Sequence, residues 1–262
     1  HGIETISMDL LDDDALQQLP EVENVIYMAG TKFGTTGNES NTWAMNTYLP
    51  GRVAQKFSRS RIVAFSTGNV YPLTSTSGNG PSEGQPVAPV GEYAQSCLGR
   101  ERMFEYFSKT NGTPVLIYRL NYAIDLRYGV LLEVAKAVRG KKPIDLSMGH
   151  VNVIWQGDAN QIAIRCLKLC SSPPAILNVT GTSMLSVKWI ANEFGKLFGE
   201  NPIFENSEQP TALLSNASKM ERLFPFAKVP VHEMIKLTAD WLELGGSLLD
   251  KPTHFQERTG KF

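Results

Sequence analysis

The chain has 262 residues, 42% of them hydrophobic and 19% charged, and a formal net charge of −1. That balance is ordinary for a soluble globular protein of one large domain or one and a half, and it carries no mark of a nucleic-acid or acidic-lipid binder. Three cysteines are too few for a disulfide framework, which favours a reducing cytoplasm, and neither a membrane-length apolar run nor a signal peptide is read.

Short apolar runs alternate with helical patterns, the sign of a parallel α/β sheet. Ile3–Met8 reads as a strand, and Asp12–Leu19 as a short helix with acids in its first turn. Val25–Met28 is a strand ending at Ala29-Gly30. Asn41–Arg59 reads as helix, kinked or divided at Pro50-Gly51. Arg61–Phe65 is a buried strand with the loop Ser66–Tyr71 at its C-terminal end. Pro72–Val90, rich in Ser, Gly and Pro, is a surface loop and a candidate substrate lid. Gly91–Lys109 is a long helix and Pro114–Leu120 another buried strand. Beyond about residue 121, helices are expected at Gly129–Arg139, Asp158–Cys170, Ser186–Phe198, Asn216–Leu223 and Val231–Leu244. Short strands fall between them at Pro143–Leu146, Val151–Trp155, Ile176–Val179 and Ile203–Glu205.

Two segments carry chemistry: Phe65-Ser66-Thr67-Gly68-Asn69-Val70-Tyr71-Pro72, and Tyr93-Ala94-Gln95-Ser96-Cys97-Leu98-Gly99-Arg100-Glu101. Together they resemble the active site of the extended short-chain dehydrogenase/reductases, the NAD-dependent epimerase/dehydratase family. That family pairs a hydroxyl residue before a Val-Tyr with a Tyr-x-x-x-Lys on a helix. Thr67 takes the hydroxyl position, Tyr93 the tyrosine, and Cys97 stands in place of the lysine.

The resemblance implies hydride transfer coupled to proton transfer, with Thr67 bonding the substrate oxygen and Tyr93 moving the proton. A free tyrosine titrates near 10 and must drop by about three units to act near neutral pH, worth about 4 kcal/mol. One cation about 4 Å away supplies about that at an effective dielectric near 20. Cys97, four residues on and on the same helix face, cannot supply it. Either Lys32 or the oxidised nicotinamide provides the charge, or Cys97 is itself reactive, or the site binds cofactor and turns over poorly. A small packed cysteine is the plainest reading of the thiol itself. Arg100, roughly 10 Å along the axis from Tyr93, is a weak substitute.

The resemblance further implies cofactor contacts at Asp9-Leu10 (adenine), Met28-Ala29-Gly30 (the turn beneath the ribose) and Lys32. Asn46 matches the family's helix asparagine, which orders the active-site backbone and water. Asn121 and Tyr122, after Arg119 at a strand end, fall beside substrate and nicotinamide, although one residue is missing between Arg119 and Asn121 relative to some members. Asp158 is a helix N-cap or first-turn residue. Cys166, Cys170 and the scattered His150, His232 and His254 form no metal site, and no nucleophile elbow is present.

No Gly-rich phosphate turn occurs near the start. Ile3–Met8 resembles the family's third strand, so the first strand-helix-strand unit, roughly 50 residues, is expected upstream of His1; the rival is a fold that lacks the motif and holds no dinucleotide. The expected architecture is therefore α/β, a doubly wound parallel Rossmann-type sheet over residues 1–125 without its first unit, interleaved with a smaller mixed substrate region over 126–262. The expected function is NAD- or NADP-dependent epimerisation, dehydration or dehydrogenation of a sugar or nucleotide-sugar-like substrate by a homodimer. The alternative is a catalytically weak NAD(P)-binding sensor or scaffold.

Overall fold

In the runs Arg61–Thr67 and Val115–Leu120 both faces are apolar. Ile62, Ala64, Val115 and Ile117 pack to one side, and Val63, Phe65, Leu116 and Tyr118 to the other. Such strands must be covered on both faces, which is the condition of the inner strands of a parallel sheet. The computed structural model of the chain, which describes residues 2–32, 34, 36–226 and 228–261, builds its centre on them.

The chain begins with α1 (Asp13–Gln18), β1 (Asn24–Tyr27), α2 (Glu39–Trp43), a π-helical turn at Ala44–Tyr48 and α3 (Leu49–Lys56). It continues with β2 (Arg61–Thr67), β3 (Thr74–Ser75), α4 (Gly91–Asn111) and β4 (Val115–Leu120). The second half runs β5 (Ala123–Ile124), α5 (Val130–Arg139), β6 (Pro143–Asp145), β7 (His150–Val151), β8 (Ile154–Trp155), α6 (Gln156–Cys166) and β9 (Ala175–Val179). It closes with β10 (Leu185–Ser186), α7 (Val187–Phe198), β11 (Ile203–Glu205), β12 (Thr211–Ala212), α8 (Ser218–Leu223) and α9 (Val231–Glu243). The main sheet is parallel in the order β1-β2-β4-β9, so a strand of the second half completes the sheet of the first. Leu16, Leu49, Val53 and Phe104 of α1, α3 and α4 cover one face; Ile162, Cys166 and Met220 of α6 and α8 cover the other. A separate core joins α5, α7 and α9.

Three sequence expectations are corrected. Ile3–Met8 is not a strand: no ladder is formed there among the described residues, β1 is the edge of the sheet, and Ile3 is 80% exposed. Val151–Trp155 is two strands with different partners, β10 and β5. Between them Asn152 turns its side chain to Ser215 N (3.0 Å) and Ser183 O (3.3 Å). The expected break near Pro50 comes earlier, as the π-helical turn, and Pro50 then starts α3, where its missing N–H costs nothing.

Beneath the carboxyl ends of the strands lies a buried ion pair. Arg119 of β4 donates from Nε to Glu101 Oε1 at 2.9 Å and from Nη2 to Oε2 at 2.7 Å, with both side chains at most 4% exposed. Ser66 of β2 donates to the same carboxylate at 2.5 Å. Arg119 Nη1 donates to the Tyr71 hydroxyl at 2.7 Å, and that hydroxyl donates to Asn178 Oδ1 of β9 at 2.9 Å. One network thus ties β2, β4, β9 and α4. Glu101→Ala strands a buried guanidinium and should cost about 3–5 kcal/mol, seen as a loss of about 10 °C in Tm; calorimetric melting of the two proteins checks it.

Candidate active site

β2 ends on Thr67, whose Oγ1 accepts from Asn69 N at 3.1 Å and so caps the 3₁₀ turn Gly68–Val70. Tyr93 sits in the first turn of α4, entered through Gly91 at φ +81°. Both side chains line a cavity of about 290 Å³ together with Lys32, Asn121 and Tyr122. It lies at the carboxyl ends of β2 and β4, where open α/β sheets bind ligands. Tyr122 holds a left-handed backbone at φ +42°, an arrangement that costs a non-glycine residue roughly 1 kcal/mol or more and gathers at functional sites.

Asn46 lies in the π-helical turn and is fully buried. It uses its whole bonding capacity on protein. Its Oδ1 accepts from Thr31 N (2.9 Å) and Arg100 Nη2 (2.7 Å), and its Nδ2 donates to Thr31 O (2.7 Å) and Ser96 Oγ (3.0 Å). It thereby fixes the backbone that carries Lys32. Arg100 reaches further than its axial spacing suggests. Its guanidinium folds back under Gly30, donates to Phe65 O at 2.8 Å, and is 7% exposed. A Cβ at Gly30 would lie 2.2 Å from Arg100 Nη2, so this glycine is required by the packed arginine.

Cys97 is fully buried among Val70, Tyr71 and the ring of Tyr93. Burial pushes its thiol up, and Arg100 only partly opposes this. The Tyr93 hydroxyl bonds with the side chains of Thr67 and Cys97. Burial, then Cys97, hold the phenol well above its usual range, against the pull of Arg100 and Thr67. Lys32 Nζ lies 6.0 Å from the centroid of the Tyr93 ring and donates to Thr253 O at 3.2 Å. Burial lowers its amine to about 8, and Glu133 works in the opposite direction.

The cavity thus gathers Thr67, Tyr93, Lys32, Asn121 and Tyr122, with Asn46 and Cys97 packed behind them. It does not gather the remaining candidates. Asp9 accepts from Leu11 N at 2.9 Å in an exposed turn. Leu10, Met28 and Ala29 line an apolar groove along β1, and Gly30 lies over Arg100. Asp158, in the first turn of α6, accepts from Val229 N at 2.9 Å. The loop 72–90 contributes nothing to the cavity wall: Pro81 O accepts from Asn178 Nδ2 and Glu83 from Asn178 N, tying the loop to β9. The wall comes instead from Asn69, Tyr128 and Gln156, and from Thr253, His254 and Glu257 far along the chain. Asn69 lies in the segment Phe65–Pro72 that carries the resemblance; residues 253–257 follow the last helix with no periodicity or motif to mark them.

These elements define a Rossmann-type α/β fold. Residues 1–124 match the model of the NAD dependent epimerase/dehydratase family. The chain also superimposes on solved structures along most of its length. Against RMD from Pseudomonas aeruginosa, solved with NADPH, the TM-score is 0.76 at 16% identity, covering 91% of this chain and 88% of that one. Against UDP-glucuronic acid 4-epimerase from Bacillus cereus, solved with NAD, it is 0.75 at 16% identity, covering 90% and 77%. Against Pal from Bacillus thuringiensis it is 0.75 at 15% identity, covering 90% and 82%. No curated protein sequence matches the chain. Among the described residues no helix is long and apolar enough to cross a membrane.

The lowered amine of Lys32 makes stability depend on pH. Between about 8 and 10.5 the unfolded lysine keeps a proton that the folded one has released, so stability rises with pH across that window. Lys32→Met removes this titration. The stability of the wild type relative to the variant should therefore grow by about 2 kcal/mol from pH 8 to pH 10.5, as read by urea unfolding at each pH.

Proposed function

We propose that the protein is an NAD- or NADP-dependent enzyme of the epimerase/dehydratase and dehydrogenase type, acting on a sugar-like substrate. The observation that carries this is the convergence of Tyr93, Thr67 and Lys32 on one cavity at the carboxyl ends of β2 and β4. The residues present fit the nicotinamide end of a dinucleotide, since hydroxyl, phenol, amine and amide donors face one small cavity. The sequence contains no Gly-rich turn for the pyrophosphate.

A bound nicotinamide supplies or takes a hydride at a substrate carbon. The chain's own groups act at the adjoining oxygen. Tyr93, kept neutral by burial and by Cys97, holds its proton beside the substrate oxygen, but the same burial makes the phenol a weak acid, so proton transfer depends on the cations near it. Thr67 holds the same oxygen by its hydroxyl. Giving the proton to the carbonyl oxygen leaves the phenol ionised, and the reverse direction starts from that phenolate, so the cations near it assist both. A unit charge 6.0 Å away, the separation of Lys32 Nζ from the ring, is worth about 3 kcal/mol at an effective dielectric of 20. Arg100 adds to this from below. In this reading Lys32 and Arg100 together stand in for the lysine that Cys97 replaces, Asn46 positions Lys32, and Asn121 and Tyr122 flank the substrate. The helical segments 44–48 and 91–111, on which Tyr48 and Tyr106 are more than half exposed, are the proposed pairing surface of a homodimer.

A second reading, a cofactor-binding protein of little turnover, is favoured by the raised Tyr93 phenol and the buried thiol beside it. Calorimetry with NAD and NADP on wild type and Tyr93→Phe tests the first. Micromolar binding to one cofactor by both proteins is expected, with turnover lost by about 100-fold or more in the variant. Binding to neither cofactor sinks the enzyme reading. Binding with no turnover in either protein selects the second.

A further inference from the structure

Past α9 the chain does not trail away. Residues 250–261 return across the mouth of the cavity and are fastened along their length. Leu249 N donates to Arg127 O at 3.1 Å. Thr253 donates from both its amide and its hydroxyl to Glu133 of α5. Phe255 is 2% exposed, sunk into the core of α5, α7 and α9, and its carbonyl accepts from the Tyr122 hydroxyl at 3.4 Å. Arg258 donates to Ser147 O (2.9 Å), Thr211 O (2.8 Å) and Thr211 Oγ1 (2.6 Å). Gly260 lies so close to Gly91 that a Cβ on Gly91 would be 2.2 Å from the Gly260 carbonyl oxygen, two residues before Tyr93.

We infer that this strap is a fixed wall of the substrate site, and that it makes the site one for a free, unphosphorylated polyhydroxy compound of monosaccharide size, with Glu257 accepting its hydroxyls. The inference rests on the proposed chemistry of Tyr93 and Thr67. Three observations support it.

The first is space. The strap leaves a cavity of about 290 Å³, the volume of about ten waters and the lower end for small-molecule sites. A hexose ring is of that size, and a nucleoside diphosphate joined to it would have to run out past the strap and Glu257.

The second is charge. Glu257 lines the cavity, and its carboxylate accepts from Thr259 N (2.5 Å) and Oγ1 (2.6 Å). Burial pushes its carboxyl up, but those bonds together with amides of the strap outweigh it and hold the carboxyl below its usual range. A fixed anion repels phosphate and accepts from hydroxyls.

The third is that, among the described residues, no anion clamp is turned on the cavity. Phosphate recognition calls for a guanidinium fork or several convergent cations. Arg258 gives its fork to the Ser147 and Thr211 oxygens, and Lys32 already donates to the strap at Thr253 O. His254 also faces the cavity and holds a left-handed backbone at φ +52°.

The experiment is calorimetry on the full chain. NAD and NADP are titrated first, and then, with the bound cofactor present, D-glucose, myo-inositol, glucose 6-phosphate and UDP-glucose as probes. The expected result is that at least one free polyol binds and that both phosphorylated probes bind at least tenfold more weakly. Glu257→Gln should weaken the polyol at least tenfold and strengthen glucose 6-phosphate. Arg258→Ala, which releases the strap, should admit UDP-glucose. The inference is overturned if a phosphorylated probe binds wild type more tightly than both polyols. It is overturned equally if a cofactor-loaded chain binds none of the four, or if Glu257→Gln, melting cooperatively, keeps wild-type polyol affinity. Failure to bind either cofactor is a different result, since it removes the proposed function itself.

Discussion

Everything at the active end of this molecule depends on one buried ion pair, Glu101 with Arg119. A carboxylate and a guanidinium that are almost wholly removed from water are tolerable only when their remaining bonding capacity is met. Here Ser66, Tyr71 and, through Tyr71, Asn178 meet it. Those partners come from β2, the loop after it, α4, β4 and β9, and the residues that line the cavity lie a few positions from them. Thr67 follows Ser66, Asn121 follows Arg119 by two, and Tyr93 is two turns before Glu101. The network thus sets where the ends of three strands and one helix stand relative to each other. The cavity is the space left above it.

Above that base the charges are arranged unusually. A thiol occupies the helix position facing the tyrosine hydroxyl, and the positive charge comes from two other directions. Arg100, one turn further along α4, folds back beneath Gly30, where the glycine leaves its end room. Lys32 comes from the loop after β1, held there by Asn46 through both backbone groups of Thr31. Helix spacing alone ranked Arg100 as remote, since an axial distance ignores how far a long side chain can fold back along its own helix.

The sequence was most legible where physics is local. Continuous apolar runs announced β2 and β4, acids in the first turn announced α1, and the resemblance carried by Phe65–Pro72 and Tyr93–Glu101 picked out Thr67 and Tyr93, which line one cavity. It was least legible where a residue's state depends on a distant partner. Ile3–Met8 has the apolar content of a strand, but a strand exists only with a neighbour to bond. The loop 72–90 has the composition of a lid, yet Asn178, about 90 residues later, ties it down away from the cavity. Thr253, His254 and Glu257 show no pattern of their own, because their placement is decided by Glu133, Thr211 and Ser147.

The bond from Lys32 to the Thr253 carbonyl joins residues 221 apart in the chain. Floor and base of the cavity are therefore made from segments synthesised early, and its wall from a segment synthesised much later. Domains assemble as their residues emerge, and closing so long a loop is slow relative to local structure. During synthesis residues 250–261 emerge after every other residue that lines the cavity. The cavity thus takes its final shape late, when the strap is laid down and Gly260 comes to rest against Gly91.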